Sequence, residues 1–191
     1  MAAGLLVMFV LWLQCTNFSD GRSQICNNGC AGGHHILAFR YIFKEAGGVK
    51  KADDYPFTGQ SNKNCKLSDN DKRFVASVSN YEYIKADENQ YAAYLVQHGP
   101  IAVSTDMDFD QTYQGGVICK HKKHSSGNIT HAVTLVGYEK GTSDRDWIIK
   151  NSYGKDWGED GYFKVCQNVL TYNDWDPKAI YAVAAKKKID I

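Results

Sequence analysis

The sequence lacks an excess of charge of either sign, since 22 basic residues face 21 acidic ones and the formal net charge is +1. This balance gives no electrostatic reason to expect a nucleic-acid partner or a strongly acidic one. The sequence also lacks internal repeats and low-complexity stretches, which argues against a repeat architecture. An ordinary globular protein is the expectation.

No apolar run is long enough to span a bilayer. The apolar stretch 5–13 in the N-terminal segment 1–15 has nine residues, whereas a transmembrane helix needs ~20. Its length fits the core of a signal peptide, although no Lys or Arg precedes it and no clear small-x-small cleavage site follows. A buried helix or a wrongly assigned start site is the alternative. We predict a signal peptide, no stable membrane span, and entry into the secretory pathway.

Six cysteines at irregular spacing suggest disulfides if the chain is exported. They are Cys15, Cys26, Cys30, Cys65, Cys119 and Cys166. The rival interpretation is a zinc site made by Cys26 and Cys30 with His34 and His35. Glycines interrupt that segment and no second close Cys/His pair follows it, so we predict neither a metal site nor a cofactor.

The order of the predicted elements indicates an α+β protein, helix-rich first and strand-rich later. A helix is predicted over 36–43, stopped by the glycines at 47 and 48, and a second over 87–97. Strands are predicted at 74–83, 101–104, 133–138, 147–150 and 162–165. The predicted organisation is an apolar segment 1–15, a partial helical lobe 17–80, a β-rich lobe 81–185 and a solvated tail 186–191.

His131 and Asn151 each lie at the edge of an apolar run, twenty positions apart. A neutral imidazole can take a proton from a thiol, and the thiolate then attacks a carbonyl. An asparagine side-chain oxygen can hold the ring in the required orientation. A histidine that precedes a strand is more often a surface or satisfied core residue, so the pair needs support from its surroundings.

Five ordered blocks supply that support. They are C-x-x-x-C-A-G-G at 26–33, D-Y-P-F-T-G at 54–59, H-G-P-I-A-V at 98–103, Y-Q-G-G-V at 113–117, and N-S-Y-G with W-G-E-D-G-Y at 151–162. Together with His131 they resemble the papain family of cysteine peptidases over about residues 17–185. One departure is Tyr153, which stands where that family usually has Trp, and which is expected to alter shielding or substrate contacts.

The resemblance implies a papain-like two-lobe α+β fold with an incomplete helical lobe and an essentially complete sheet or barrel lobe. It implies that His131 is the general base, that Asn151 orients it, and that Trp157 shields their contact from water. Gly32 and Gly33 would bind a peptide backbone, and glycine suits such close approach. The residues expected to line the main specificity pocket are Ala132, His34 and His35.

The resemblance also implies a disulfide between Cys26 and Cys65. Cys30 would pair with a cysteine upstream of the nucleophile, for which Cys15 is the one candidate. Cys119 and Cys166 are candidates for a bridge within the β-rich lobe, although Cys166 matches no usual family position.

The family's nucleophile motif, C-G-[SA]-C-[WY], does not occur in these 191 residues. In the family the nucleophile precedes the histidine by roughly 130 to 150 residues, which from His131 leads to the start of the sequence or beyond. Cys15 ends an apolar run, whereas a reactive thiolate favours a helix N-terminus. The resemblance implies a monomeric, lysosomal or extracellular papain-family homologue whose partners are peptide or protein substrates. We expect these 191 residues alone to be catalytically incomplete, because they contain neither the family's nucleophile cysteine nor its oxyanion-hole glutamine. The alternative is a secreted, non-catalytic peptide-binding or decoy protein.

Overall fold

A computed structural model of the chain describes residues 33–57, 74–85, 87–105, 112–119, 131–141, 144–167 and 178–185. They fall into two compact units: residues up to Tyr81 together with those from Ala182 onward, and Glu82–Tyr181. No helix within these ranges is both long enough and apolar enough to cross a membrane. The predicted pairing of Cys26 with Cys65, the site residue Gly32 and the segments 1–15 and 186–191 lie outside the described residues.

The first unit contains helix α1, His35–Tyr41, which continues as a π-helical turn, Ile42–Ala46. The side chain of His34 caps the helix, its Nδ1 accepting a hydrogen bond from the Ile36 amide at 3.2 Å. The helix ends at Gly47, whose left-handed backbone (φ 79°) lets its N–H bond the Ile42 carbonyl. The predicted helix and its glycine stop are confirmed.

The strand predicted at 74–83 is confirmed over most of its length but is wrong at its start, because strand β1 runs Ser77–Lys85. Phe74 instead lies over Gly48, where a Cβ atom would come within 2.6 Å of its ring. Val49 and Ala76 then form an isolated antiparallel bridge. Contact with the loop after the π-helical turn thus replaces regular strand pairing at these positions.

The second unit contains most of a sheet. After helix α2, Glu88–His98, come β2 (Ile101–Thr105), β3 (Val117–Ile118), β4 (His131–Lys140), β5 (Arg145–Lys150), β6 (Tyr162–Cys166) and β7 (Lys178–Ala185). The strand order is β1-β7-β2-β4-β5-β6-β3. The strands predicted at 101–104, 133–138, 147–150 and 162–165 are confirmed, each with somewhat longer bounds.

A single row of buried side chains crosses four strands of this sheet. Ile101 pairs with Leu135, Leu135 with Ile149, and Ile149 with Phe163, and all four are fully buried. Because side chains alternate between the two faces of a sheet, residues two positions away on each strand share this buried face. The row therefore fixes which way neighbouring functional side chains point.

Helix α2 packs on strands β2 and β4 and buries residues at helical spacing, including Tyr91, Ala92 and Leu95. It begins at Asp87, whose side chain accepts a hydrogen bond from the Asn89 amide at 2.9 Å. Its first residue, Glu88, is buried and accepts a 2.7 Å hydrogen bond from the indole of Trp147 on β5. The predicted helix over 87–97 is confirmed with a shift of one residue.

Cys119 and Cys166 form a disulfide that follows from strand register. β3 and β6 are parallel, with Val117 opposite Lys164 and Ile118 opposite Val165. The next pair in that register is Cys119 and Cys166, whose Cα atoms lie 4.8 Å apart, within the range of a disulfide. The bridge ties the short edge strand β3 to the sheet.

Candidate active site

His131 and Asn151 meet because of the register of two antiparallel strands. Lys150, the last residue of β5, pairs with Thr134, so continuing the register sets Asn151 opposite Val133. His131 lies two residues before Val133 and therefore on the same face, diagonally across from Asn151. The structure places His131 Nε2 2.8 Å from Asn151 Oδ1.

The amide oxygen of Asn151 sets the tautomer of the imidazole. Asn151 is buried, and its Oδ1 also accepts a hydrogen bond from the Ser152 amide at 2.8 Å. A carbonyl oxygen only accepts, so His131 Nε2 carries the hydrogen in this contact. In the neutral ring, Nδ1 is then the nitrogen able to take a proton.

The aromatic ring beside His131 is that of Tyr153. The two ring centroids lie 5.4 Å apart with an interplanar angle of 35°. Trp157 is buried and meets the other side of this arrangement, edge-to-face with Tyr153 at 5.3 Å. The ring next to the imidazole is therefore that of Tyr153, whereas Trp157, to which the resemblance assigned the shielding role, contacts Tyr153.

The loop between Asn151 and Tyr162 carries the rings of Tyr153 and Trp157, and backbone hydrogen bonds fix its shape. The Asn151 amide donates to the Gly161 carbonyl at 2.9 Å, and the Gly161 amide donates to the Trp157 carbonyl at 2.7 Å. Gly158 has φ +60°, and a Cβ atom there would lie 2.6 Å from the Tyr162 carbonyl oxygen. Glycine is required at this position both for its backbone angle and for lack of space.

Glu159 links this turn to the loop that carries the Y-Q-G-G-V block. Its Oε1 accepts hydrogen bonds from the Gly116 amide at 3.0 Å and from the Tyr113 hydroxyl at 3.1 Å. Its Oε2 lies 3.3 Å from Lys164 Nζ, which also contacts Glu139 at 3.0 Å. Sequence reasoning matched Glu159 and Tyr113 only as motif letters, because a motif match carries no information on which side chains meet.

These contacts shift three ionisation equilibria. Burial raises the pKa of Glu159, but hydrogen bonds from Gly116, Tyr113 and Lys164 outweigh it and hold the pKa below its ordinary value. Burial, aided by the nearby Glu159 carboxylate, raises the pKa of Tyr113. Contacts with Glu139 and Glu159 raise the pKa of Lys164. At neutral pH the cluster is a carboxylate held by an ammonium, a phenol and a backbone amide.

Tyr113 connects the Glu159 cluster to the aromatic rings near His131. Its ring lies 5.4 Å from Trp157 and makes an edge-to-face contact with Phe163 at 6.5 Å. Trp157 in turn meets Phe163 edge-to-face at 5.9 Å. The rings next to His131 are therefore anchored on a fully buried residue of the sheet.

The remaining predicted site residues are placed as follows. Ala132 is half-buried on β4, next to His131. Gly33, His34 and His35 belong to the first unit, where the two imidazole rings are stacked at 4.5 Å. Within the described ranges, no group of three or more His, Cys, Asp and Glu side chains is arranged to hold a metal ion.

Comparison with known proteins adds sequence and fold relationships. The family model "Papain family cysteine protease" matches residues 13–183. The "Probable cysteine protease RD19C" of Arabidopsis thaliana is 44% identical over 165 residues, covering 81% of this chain and 42% of the relative. "Cysteine proteinase 1" of Zea mays is 42% identical over 149 residues, covering 74% of this chain and 38% of the relative. The chain spans about two fifths of the length of these relatives.

Solved structures show the same fold. The digestive procathepsin L 3 of the Tenebrio molitor larval midgut superimposes with a TM-score of 0.70 and 32% identity, over 82% of this chain and 50% of the other. The bromelain protease of Ananas comosus, in complex with the E64 inhibitor, gives a TM-score of 0.70 and 25% identity over 93% and 76%. The predicted α+β, papain-like fold class is confirmed.

Proposed function

Because the chain belongs to the papain family of cysteine proteases, we propose that His131 and Asn151 are the base and the orienting residue of a cysteine-peptidase site. The observation that carries the proposal is the 2.8 Å contact between His131 Nε2 and Asn151 Oδ1. This contact supports the proposal because thiol activation needs an imidazole whose ring is held in one orientation by a hydrogen-bond acceptor.

In this proposal the Nδ1 atom of His131 takes the proton of a cysteine thiol, and the thiolate–imidazolium pair is the resting nucleophile. The thiolate attacks the peptide carbonyl, and His131 returns its proton to the departing amine. Asn151 keeps the ring in one orientation through both proton transfers. Tyr153 covers one side of the ring and limits the access of water to the contact.

The nucleophile is the component that these 191 residues do not provide in the family's motif. We therefore expect the 191-residue polypeptide by itself neither to hydrolyse a fluorogenic peptide nor to react with a thiol-directed peptide-epoxide probe. Peptide binding by this polypeptide without turnover would favour the alternative function of a secreted, non-catalytic peptide-binding protein. Labelling of any cysteine by the probe would refute its catalytic incompleteness.

A chimera tests the roles of the pair directly. The segment of a relative that carries the C-G-[SA]-C-[WY] motif is joined ahead of these residues, and peptide hydrolysis is measured. His131→Ala should lower kcat/KM on the order of 10⁴-fold or more, by analogy with the loss of a triad member in subtilisin. His98→Ala, at the end of helix α2, is the matched control and should leave the rate unchanged. Equal activity of the His131→Ala chimera would overturn the assignment.

The proposal also includes the cellular compartment in which the protein acts. A disulfide between Cys119 and Cys166 persists in oxidising environments, which favours the secretory pathway and a lysosomal or extracellular location. Peptides or proteins are the proposed substrates, with the chain acting as a monomer and with Ala132 near the substrate. Expression with a fluorescent tag and localisation in cells tests this part; a cytosolic, reduced protein would contradict it.

A further inference from the structure

A cavity of about 550 Å³ opens beside Tyr153, the residue whose ring contacts His131. Its volume is typical of a site for a side chain or small ligand, ~300–1,000 Å³. The cavity is lined by Thr112, Tyr113, Gln114, Tyr153, Asp156, Trp157 and Gly158. All of these residues belong to the second unit, which also holds the histidine.

The chemistry of the lining favours a cation. Three aromatic residues, Tyr113, Tyr153 and Trp157, contribute to the walls, and the faces of such rings attract positive charge. Among the lining residues that the structure describes, Asp156 is the one charged residue, and its side chain is exposed. Among the described basic side chains, none forms an ion pair with Asp156. Its carboxylate is thus available to an incoming guanidinium or ammonium group.

The cavity is also preorganised. The hydrogen bonds of Glu159 to Gly116 and Tyr113 hold the wall formed by residues 112–114, and the 2.7 Å bond between Gly161 and Trp157 holds the opposite wall. A preformed site loses little conformational entropy when a ligand enters it. Weak electrostatic contacts with the ligand can therefore produce a measurable difference in affinity between charged and neutral side chains.

We propose that this cavity binds the lysine or arginine side chain of a peptide lying beside His131, and that Asp156 is the residue that selects for positive charge. The proposal rests on the proposed function, since it assumes that His131 marks the place where a peptide reacts. It adds a preference for a positively charged side chain, which the proposed His131–Asn151 pair does not determine. An exposed carboxylate and aromatic faces together give an expected preference of about tenfold over a neutral side chain of equal length.

The test uses the 191-residue chain labelled with ¹⁵N and titrated with three capped amino acids. N-acetyl-lysine methylamide and N-acetyl-arginine methylamide carry the charge, and N-acetyl-norleucine methylamide has a similar chain without it. The two cationic ligands should shift the backbone amide signals of Tyr153, Asp156 and Gly158 saturably, with norleucine about tenfold weaker. Asp156→Asn should remove the preference, and added salt should reduce it in the unmutated chain.

Asp160→Asn is the matched control. It makes the same chemical change in the same turn, at an exposed residue outside the cavity, and asparagine tolerates the left-handed backbone found there (φ 55°). The control should keep the full preference for the cationic ligands. Equal binding of norleucine, or an equal loss in both variants, would overturn the proposal. The titration involves no proton transfer by His131, so loss of the proposed function in the chimera would be a separate result.

Discussion

The hydroxyl of Tyr113 lies 3.1 Å from the Oε1 atom of Glu159, although the two residues are 46 positions apart in the sequence. The single hydrogen of this hydroxyl is shared between Glu159 Oε1 and the Gly116 carbonyl, which lies 2.6 Å away, while the Glu159 carboxylate accepts from the Gly116 amide. The loop that contains Tyr113 and Gly116 is thereby joined to the loop that contains Glu159, through both side-chain and backbone hydrogen bonds. One of them carries Trp157 and Tyr153, so this link bears on the surroundings of His131.

Replacing Glu159 with Gln should destabilise the protein in a pH-dependent way. The pKa of Glu159 lies below its ordinary value of 4.5, so its charge contributes stability above that pH, and the contribution is lost as pH falls through the folded-state pKa. Gln keeps an oxygen acceptor for Gly116 but loses the attraction to Lys164. The difference in urea midpoint between the two proteins should be present at pH 7 and shrink below pH 4.5. Glu139→Gln, which removes only a Lys164 contact, is the control; a pH-independent difference would contradict the assignment.

Asn151→Ala should release the imidazole of His131. The amide oxygen accepts hydrogen bonds from His131 and from the Ser152 amide, and loss of a buried acceptor costs about 1–3 kcal/mol. The His131 Nε2–H signal in the proton NMR spectrum should vanish through exchange with water, and ¹⁵N shifts should report mixed tautomers. Ser152→Ala leaves both hydrogen bonds in place and should preserve the signal. A persistent Nε2–H signal in Asn151→Ala would contradict the contact.

Loss of the Cys119–Cys166 bridge should lower the free energy of unfolding. The bridged residues are 47 positions apart, and the chain-entropy estimate for a loop of that length is about 4 kcal/mol. We expect the double variant Cys119→Ser/Cys166→Ser to unfold at a markedly lower urea concentration, as followed by tryptophan fluorescence. Replacing both residues avoids an unpaired thiol. An unchanged midpoint would show that the bridge does not stabilise the folded chain.

Gly158→Ala should be more damaging than Gly154→Ala. Both positions have left-handed backbones, with φ of +60° and +93°, so each substitution carries a strain of about 1–2 kcal/mol. At Gly154 a Cβ atom would meet open space, whereas at Gly158 it would collide with the Tyr162 carbonyl oxygen and crowd Tyr113. Crowding adds about 1–3 kcal/mol. Urea denaturation of the two variants should separate these contributions, and equal midpoints would rule out the collision.

Secondary structure in this chain was largely predictable because local pattern and tertiary context agree. Strands β2, β4, β5 and β6 contain short apolar runs rich in β-branched and aromatic residues, which favour strands, and Asp87 and Gly47 are strong local signals for a helix start and a helix stop. The exception is the segment at Phe74 and Val75, which reads as a strand locally. There the packing of Phe74 on Gly48 decides the conformation, and no local pattern encodes that contact.

By itself, the sequence determined the family and the fold class and indicated the two residues proposed as base and orienter, because ordered motifs and short apolar runs can be recognised in the linear order of residues. Tertiary structure alone decided that His131 and Asn151 share one face of the sheet at 2.8 Å, since this depends on the β4–β5 register. It alone placed Tyr153 against the imidazole, joined Glu159 to Tyr113 and brought Asp156 into the lining of a cavity with three aromatic residues. These contacts are long-range, and long-range contacts are set by strand pairing and side-chain packing rather than by the preferences of neighbouring residues.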